Sequence, residues 1–533
     1  MSDTGAPAAD PHIWGDDPHA VTVLAHNVST RYLAYLIDAV LGLVMLPFNL
    51  SHLGMAAYGL WMLTSSFTVY FDMLDLGYGG ALVRFVARYR AQRNVQALNE
   101  VLSTFSLVYA GIGAAAYLFV IVIAMNLHLM SKLTPTEIET SRTLLLIIGA
   151  NVAARFAFGW YGGIIVGFQR YHLNNLTSIV TSLAVAAANV AVLLSGYGIV
   201  ALVAATTSVR MLALLVYRLN AYRTFPGLSI KWTSFRRERF HEVSGFSVYM
   251  LLLDIAYKVN YSIDVIVVGA FVGAAAVALW SPAQRLTDLA LRLSNQLGDA
   301  LFPIVVDCDA GQRELRLRRV FLEGTRLSLA TVLPIGGGLA IMAHPLMTAW
   351  LGAGFGATAI IVQILALVVV IRVAAATSSI VLKGAGMHRR LTALITLMGL
   401  GNFALSVALV GSIGLTGVAV GTAIPVALIS LFTLFPTACR RVGLSMAQTL
   451  RYSVWPALWP AFVSLGGLAL ISPHFPSRLL AIALQLVLSA MVYFALFLVA
   501  VGTEGRREYL GHVDGLLRRS MPLIRRFGTA NAS

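Results

Sequence analysis

Five polar residues of this chain are spaced so that a helix would carry them on one face. They lie three or four positions apart and interrupt an apolar segment: Arg285, Asp288, Arg292, Asn295 and Asp299. A shorter stripe with similar spacing precedes it: Asp254, Lys258 and Tyr261. Guanidinium and ammonium groups bind oxyanions through charge-assisted hydrogen bonds. Because three of these residues are bases, the two stripes predict a wet site for an anionic ligand.

The same stripes have a second interpretation, which the sequence leaves open. Opposite charges three or four residues apart on a helix neutralise each other, as Arg285 and Asp288 would. A charge at the centre of a lipid-facing helix costs about 2.5 to 3.5 kcal/mol, so intramembrane charges should face a cavity or one another. The acids that fit ion coupling or charge pairing are Asp72, Asp254, Asp264 and Asp288. Three further arginines fit helix packing equally well: Arg155, Arg210 and Arg372.

Membrane-spanning helices are the elements that must position these residues. Of the 533 residues, 58% are apolar and 11% are charged, whereas a soluble protein carries about 25% charged residues. A span needs about 20 consecutive, mostly apolar residues. The sequence therefore predicts an all-α polytopic membrane protein with about fourteen transmembrane helices. They begin near residues 32, 57, 101, 143, 176, 198, 245, 275, 327, 358, 391, 415, 454 and 479.

The net charge of +15 follows the predicted topology. If the N-terminus is inside, 29 of the 38 basic residues fall in cytosolic segments, and three fall in outer loops: Lys132, Arg142 and Arg478. This bias is the positive-inside rule, and it predicts that both termini are cytosolic. It also explains the basic charge without a nucleic-acid partner. Two isolated cysteines, Cys308 and Cys439, cannot form a structural zinc site, and no metal site is predicted.

Two similar nonapeptides indicate an internal repeat. LGMAAYGLW (53–61) and VGAAAVALW (272–280) match at five positions when they are shifted by 219 residues, and further matches occur at the same shift. Six spans separate the copies, so we expect two six-helix lobes related by a pseudo-two-fold axis, followed by a C-terminal helix pair. The predicted boundaries are 1–31 for an N-terminal tail, 32–219 for the N-lobe, 220–243 for a basic cytosolic loop, 244–437 for the C-lobe, 453–502 for the helix pair and 503–533 for a cytosolic tail.

No group of residues predicts catalysis. A membrane-embedded glycan polymerase or ligase needs an acid, a base or a metal held near its substrate at one membrane face. The predicted outer loops are short and the histidines are scattered. Two lobes that rock around a central cavity suit transport by alternating access instead.

The second span resembles that of a known transporter family. Residues 56–89, AAYGLWMLTSSFTVYFDMLDLGYGGALVRFVARY, are similar to the second helix of polysaccharide flippases of the multidrug/oligosaccharidyl-lipid/polysaccharide exporter superfamily. The polar segments GFQRYHLNN in the fourth span and KGAGMHRR after the tenth resemble the same family. The residues that carry the likeness in the second span are Tyr58, Gly59, Leu60, Trp61, Asp75, Leu76, Gly77 and Arg84.

The resemblance implies a flippase of O-antigen or exopolysaccharide units in the bacterial inner membrane. Its cargo would be an undecaprenyl-pyrophosphate-linked oligosaccharide, and its partners would be membrane lipids, a glycan polymerase and export machinery. It implies no cofactor, but coupling to a proton or sodium gradient. Substrate-binding residues would be Arg285, Arg292, Lys258, Tyr261, Asn295 and Gln296. A lipid II flippase and a drug/cation antiporter of the same superfamily stay open as alternatives, although three bases in the stripes favour an anionic cargo.

Overall fold

The computed structural model describes residues 20–75, 78–129, 133–234, 248–294 and 296–502. Within these ranges the chain forms helices and connecting turns and no strand, which confirms the all-α class. The α-helices are α1 (Ala20–Phe71), α2 (Tyr78–Ala91), α3 (Val95–Met125), α4 (Pro135–Gly159), α5 (Tyr161–Gly167), α6 (Tyr171–Leu194), α7 (Ile199–Thr224), α8 (Val248–Phe271), α9 (Ala274–Ser294), α10 (Gln296–Ala310), α11 (Glu314–Ile341), α12 (Ala343–Leu351), α13 (Ala359–Ala374), α14 (Ala376–Gly384), α15 (His388–Ile429), α16 (Phe435–Arg441), α17 (Met446–Thr449), α18 (Trp455–Ile471) and α19 (Leu479–Ala500).

Ten helical segments of the described chain are long and apolar enough to cross a membrane. Two of them, Ser29–Thr68 with 40 residues and His388–Arg441 with 54, are much longer than one crossing, which needs about 20 residues. Both contain a break in the helical backbone, at Gly54 in the first and at Ile413 and Gly414 in the second. Each of these segments therefore fits more than one span, and the total of about fourteen stays a prediction.

The backbone carries the repeat that the two nonapeptides indicate. Gly54 and Gly273, which are equivalent at the shift of 219, both have positive φ angles, of 75° and 114°. A side chain disfavours this conformation, so glycine is required at both turns. Arg93 and Gln312 are also equivalent at this shift, and their φ angles are 52° and 50°. Matching backbone angles at matching positions confirm two pseudo-symmetric repeats.

The two nonapeptides also contact each other. A Cβ atom added to Gly59 would collide with the carbonyl oxygen of Ala274 and would lie 3.3 Å from the Ala278 nitrogen. Gly59 belongs to the first nonapeptide, and both alanines belong to the second. The small residues of the repeated peptide therefore allow two helix backbones to touch, as is common where membrane helices pack.

The described chain divides into two compact units. Unit 1 contains the described residues up to Pro282 together with Ile395–Gly421, and unit 2 contains Ala283–Leu394 together with the described residues from Thr422 onward. The core of unit 1 centres on buried side chains of α2, α3 and α5, such as Phe85, Phe105 and Ile164. The lobe boundaries expected from the repeat, 32–219 and 244–437, stay predictions.

In unit 2 the C-terminal helix pair packs against α11. Buried residues of the three helices form one cluster, which includes Leu333 of α11, Ala461 of α18 and Phe497 of α19. The hydroxyl of Tyr493, which is fully buried, donates to the Ala457 carbonyl at 3.1 Å and ties α19 to α18. The pair is thus an integral part of unit 2.

The chain that leaves α7 is fixed to α3 by side-chain hydrogen bonds. Asn99 donates from Nδ2 to the Gly227 carbonyl at 2.8 Å and accepts from the Ser229 N–H at 3.0 Å. One helical turn further, the Ser103 hydroxyl accepts from the Lys231 N–H at 3.1 Å. Two side chains of α3 therefore bind three alternate residues of the segment.

The second repeat has a related contact. Arg318 of α11 is equivalent to Asn99 at the shift of 219, and its Nε donates to the Val442 carbonyl, just after α16, at 2.8 Å. In both repeats the third helix thus binds the backbone that follows the repeat's last helix. We call these two contacts the exit clamps.

Candidate functional site

The basic stripe of the eighth predicted span lies on α9. Arg285 and Arg292 are exposed and Asp288 is half-buried. At 100° per residue these three share one face, and the opposite face carries the buried residues Ala283, Thr287, Ala290 and Ser294. The helix therefore packs against its neighbours through its small and hydroxyl side chains, and the charged stripe lies on its opposite, less buried face.

A fourth charge joins this stripe from another helix of unit 2. The carboxylate of Asp288 interacts electrostatically with the guanidinium groups of Arg292, Arg372 and Arg285. Arg372 comes from α13, which packs beside α9 through Val369, Val373 and Ala290. Taken by themselves, these four side chains carry a formal net charge of +2. We call these four residues the unit 2 cluster.

Several predicted site residues cannot be placed in this cluster. Asn295 lies outside the described residues. The side chains of Gln296 and Asp299 at the start of α10, of Asp254 in α8 and of Asp72 in the short 3-10 helix after α1 also lie outside the described part of the chain. Their predicted roles stay predictions.

The predicted residues of the seventh span lie on α8, in unit 1. Lys258 and Tyr261 are both half-buried, and the rings of Tyr257 and Tyr261 lie 6.3 Å apart. The Asp264 side chain is only 6% exposed, and its carboxylate interacts electrostatically with Tyr70 of α1. A buried carboxylate in a membrane helix is a functional candidate because its burial is costly.

A polar side chain of α15 contacts α8 at Asn260, which lies one helical turn before Asp264. Asn402 donates from Nδ2 to the Asn260 carbonyl of α8 at 3.4 Å. The Ser406 hydroxyl lies 3.0 Å from Asn402 Oδ1 and 3.3 Å from the Val418 carbonyl. Asn260, Asn402 and Ser406 are all almost completely buried. Sequence reasoning did not include Asn402 and Ser406, although their i, i+4 spacing in an apolar span is a readable signal.

The oxygen atoms of these residues indicate which kind of ion this part of unit 1 could bind. Carboxylate, amide, hydroxyl and carbonyl oxygens suit hard cations such as sodium. Among the described residues, no three His, Cys, Asp or Glu side chains lie together as transition-metal ligands. We call Asp264, Asn260, Asn402 and Ser406 the buried oxygen cluster.

Asp75, one of the residues that carry the family resemblance in the second span, stabilises a helix start. Its Oδ2 accepts from the Gly79 N–H at 3.1 Å, in the first turn of α2. Its Oδ1 accepts from the Tyr109 hydroxyl of α3 at 2.7 Å. A carboxylate at this position satisfies a helix N–H group that otherwise lacks an acceptor. Asp75 therefore caps α2 and ties it to α3.

Comparisons with known proteins agree with this architecture. The chain is similar in fold to a lipid II flippase, MurJ, in an inward closed conformation, with 13% identity and a TM-score of 0.67 over 90% of this chain and 98% of that one. It is also similar to a multidrug resistance MATE transporter of the MOP superfamily in an inward-facing conformation, with 14% identity and a TM-score of 0.61 over 79% and 98%. A MOP superfamily transporter from Pyrococcus furiosus, described as having a binding pocket of reverse polarity, gives 16% identity and a TM-score of 0.53 over 82% and 99%.

The family is decided by a match to sequence rather than to fold. No curated protein sequence gives a significant match to the chain. A family model described as polysaccharide biosynthesis protein matches residues 24–308, more than half of the chain. The chain is thus a multi-pass membrane protein that belongs to the polysaccharide biosynthesis protein family, with the fold of the MOP superfamily transporters.

Proposed function

We propose that the protein is a flippase that moves undecaprenyl-pyrophosphate-linked oligosaccharides from the inner to the outer leaflet of the bacterial inner membrane by alternating access. The observation that carries this proposal is the unit 2 cluster, in which three arginines surround one aspartate. The family match supports a role in polysaccharide biosynthesis. No catalytic residue and no cofactor is part of the proposal.

The charge of the cluster suits a diphosphate. A diphosphate diester carries a negative charge on each phosphate, and the four side chains of the cluster carry a formal net charge of +2. Arginine can bind phosphate oxygens through two parallel hydrogen bonds, which fixes the orientation of the group as well as its position. Charged side chains within membrane spans are costly in contact with lipid, so they are expected to face one another, a cavity or a ligand.

The sugars would be held by neutral and mixed polar groups. We assign this role to Lys258 and Tyr261 of α8 and to Asn295 and Gln296, whose side chains offer hydroxyl, amide and ammonium groups for hydrogen bonding. The lipid tail would stay in the bilayer during transport.

The buried oxygen cluster would couple transport to an ion gradient. Asp264 would bind a proton or a sodium ion, and the oxygens of Asn402 and Ser406 support the choice of a hard cation. Asp288, by contrast, lies among arginines and would act by charge pairing. Both termini would be cytosolic, and a glycan polymerase and export machinery would act on the flipped product.

The proposal is tested with the variant Arg285→Ala/Arg292→Ala in proteoliposomes that contain an undecaprenyl-pyrophosphate-linked oligosaccharide. The fraction of glycan accessible from the opposite leaflet is measured with an impermeant lectin. We expect loss of transport in this variant and partial transport in Arg285→Lys/Arg292→Lys, which keeps the charges but not the bidentate geometry. The matched control is Arg313→Ala/Arg316→Ala, because these residues lie in the same unit near exposed Asp307.

Unchanged transport by the stably inserted Arg285→Ala/Arg292→Ala variant would contradict the proposal. A parallel assay with lipid II distinguishes the alternative flippase. Faster movement of lipid II than of the oligosaccharide carrier would favour that alternative.

A further inference from the structure

Two π-helical turns lie on either side of one short connection in unit 2. The first covers Ser430–Leu434, between α15 and α16, and the second covers Leu450–Val454, between α17 and α18. Each ends at an aromatic residue whose N–H donates to the carbonyl five residues earlier: Phe435 to Ser430 and Trp455 to Leu450. Such turns are rare, and in membrane and soluble proteins alike they are frequent at functional sites.

A proline follows each of the two aromatic residues and explains why the helix widens there. Pro436 and Pro456 have no N–H group to donate. In a regular α-helix the proline ring would also collide with the carbonyl four residues earlier, and a wider turn before the proline relieves this collision. The first repeat offers a comparison, because Tyr217 is equivalent to Pro436 at the shift of 219 and α7 continues through it as a regular helix.

The helix before the first π-turn is fixed to unit 1. We call residues 415–429, the part of α15 after its break at Gly414, the strut. A Cβ atom added to Gly421 of the strut would lie 2.5 Å from the backbone nitrogen of Ser406, and the Ser406 hydroxyl lies 3.3 Å from the Val418 carbonyl. The start of the strut therefore packs closely against the first half of α15. These contacting residues all belong to unit 1, whereas the end of the strut belongs to unit 2.

The chain after the first π-turn is fixed to unit 2. We call residues 435–449 the anchored turn. Arg441 of this turn forms ion pairs with Asp309 at the end of α10 and, at 3.2 Å, with Glu314 at the start of α11. The exit clamp of Arg318 adds a hydrogen bond to the backbone of the same turn. Several side chains of unit 2 therefore hold the anchored turn in place.

The two π-turns differ in what holds them. The second packs against α11, and Val454 contacts the buried cluster that α11 forms with the C-terminal helix pair. It therefore joins two segments that are both fixed to α11. In the first π-turn Leu431 and Phe432 do not pack against the protein, and Phe432 is 72% exposed. This turn can change its curvature without the loss of buried contacts at these two side chains.

We propose that the first π-turn is the hinge at which α15 bends when unit 1 moves relative to unit 2. It lies between a strut whose start is fixed to unit 1 and a turn that is fixed to unit 2. Sharp bends in helices occur at prolines and at π-turns, and both are present here. The second π-turn has the same construction and is its static counterpart. The inference goes beyond the proposed function, because it does not depend on the cargo.

Hydrogen–deuterium exchange of the purified full chain in lipid nanodiscs provides the first test. Peptides that cover residues 430–436 should exchange about tenfold faster than peptides that cover residues 450–456. The two segments share the turn type and the proline, so the difference reports the freedom of the hinge alone. Equal exchange in the two segments, or faster exchange in the second, would overturn the inference.

A variant that straightens the hinge provides the second test. Deletion of Phe432 combined with Pro436→Ala should give a regular α-helix, because a π-turn contains one residue more than an α-turn. The matched control is deletion of Tyr452 combined with Pro456→Ala, which removes another exposed aromatic residue from the static π-turn. Exchange at residues 430–436 should slow about tenfold in the straightened variant and stay unchanged in the control.

Spin labels on the two sides of the hinge measure the bending itself. The labels are attached at Ile424→Cys in the strut and Ala447→Cys in the anchored turn, both at exposed positions. The buried native cysteines are removed by Cys308→Ala and Cys439→Ala. Double electron–electron resonance should give a distance distribution that is about twofold narrower in the straightened variant than in the parent. The control deletion should leave the width unchanged.

Equal widths in the parent and the straightened variant would overturn the inference, and so would equal narrowing in the control. If the deletion prevents insertion into the membrane, the exchange rates of the two π-turns in the parent protein decide. Neither measurement uses a lipid-linked glycan. A chain that bends at this hinge but moves no glycan would therefore keep the inference and refute the proposed function.

Discussion

The contact between the repeated nonapeptides predicts a large difference between two glycine-to-alanine substitutions. In Gly59→Ala the new methyl group would lie 2.6 Å from the carbonyl carbon of Ala274 and even closer to its oxygen. Relief of this overlap requires that two tightly packed backbones separate, and overpacking of this kind costs about 1 to 3 kcal/mol. Gly111 of α3 is the matched control, because an added Cβ meets nothing within 4 Å. There the substitution should stabilise the helix by about 0.5 to 1 kcal/mol.

These free energies translate into measurable shifts of the melting temperature. The entropy of unfolding is about 2 cal/mol/K per residue, so a cooperative chain of 533 residues changes by about 1 °C for each kcal/mol. We therefore expect Gly59→Ala to melt about 1 to 3 °C lower than the parent protein and Gly111→Ala to melt up to about 1 °C higher. Tryptophan fluorescence of the purified protein during heating measures both. Equal shifts in the two variants, or a rise for Gly59→Ala, would refute the close packing of the two nonapeptides.

Three further predictions concern the cap, the ion and the topology. Asp75→Ala should lose about 1 kcal/mol of stability, and Tyr109→Phe should add little in the Asp75→Ala background, because Asp75→Ala already removes the acceptor of the Tyr109 hydroxyl; additive losses in a double-mutant cycle of thermal unfolding would contradict this. Asp264→Asn should remove the dependence of transport on a proton or sodium gradient, while binding of the lipid carrier persists. Transport is measured with and without the gradient, and retained gradient dependence would exclude Asp264 as the coupling residue. A cysteine at Thr136 should react with an impermeant thiol reagent added to intact cells, whereas a cysteine at Lys231 should react only after permeabilisation; labelling of Lys231→Cys in intact cells would reverse the predicted orientation.

The sequence predicted the architecture well because its signals are local or repetitive. Long apolar segments predict helices from composition alone, and the described part of the chain is indeed built of helices without strands. The repeat was readable because two turns need glycine, at Gly54 and Gly273, and glycine at a fixed shift is visible in the sequence. The helix break at residues 413 and 414 lies within a continuous apolar segment. Hydropathy therefore predicts that the segment crosses the membrane, but it does not show where one span ends and the next begins.

The candidate site was readable only along single helices. Periodicity places Arg285, Asp288 and Arg292 on one face, but it carries no information about neighbouring helices. The approach of Arg372 to Asp288 depends on the packing of α13 against α9. For the same reason the sequence did not reveal that Asp38 meets Ser182, a contact that joins residues 144 positions apart.

Asp75 shows a different limit. It lies three residues after Asp72 in the second predicted span, which is the type and spacing of a cavity residue, but its carboxylate accepts from Gly79 and Tyr109 instead. A capping role depends on where the helix is interrupted, and helix boundaries are the least predictable feature of a sequence.

The exit clamps determine how mechanical load travels through each repeat. A pull on the chain beyond Lys231 reaches Asn99 and Ser103 first, so the tension enters the middle of unit 1 through α3 and does not unravel α7 from its last turn. Arg318 provides the same protection for α16 through its bond to Val442. In each repeat, tension in the following chain therefore acts on the third helix before it acts on the end of the last helix.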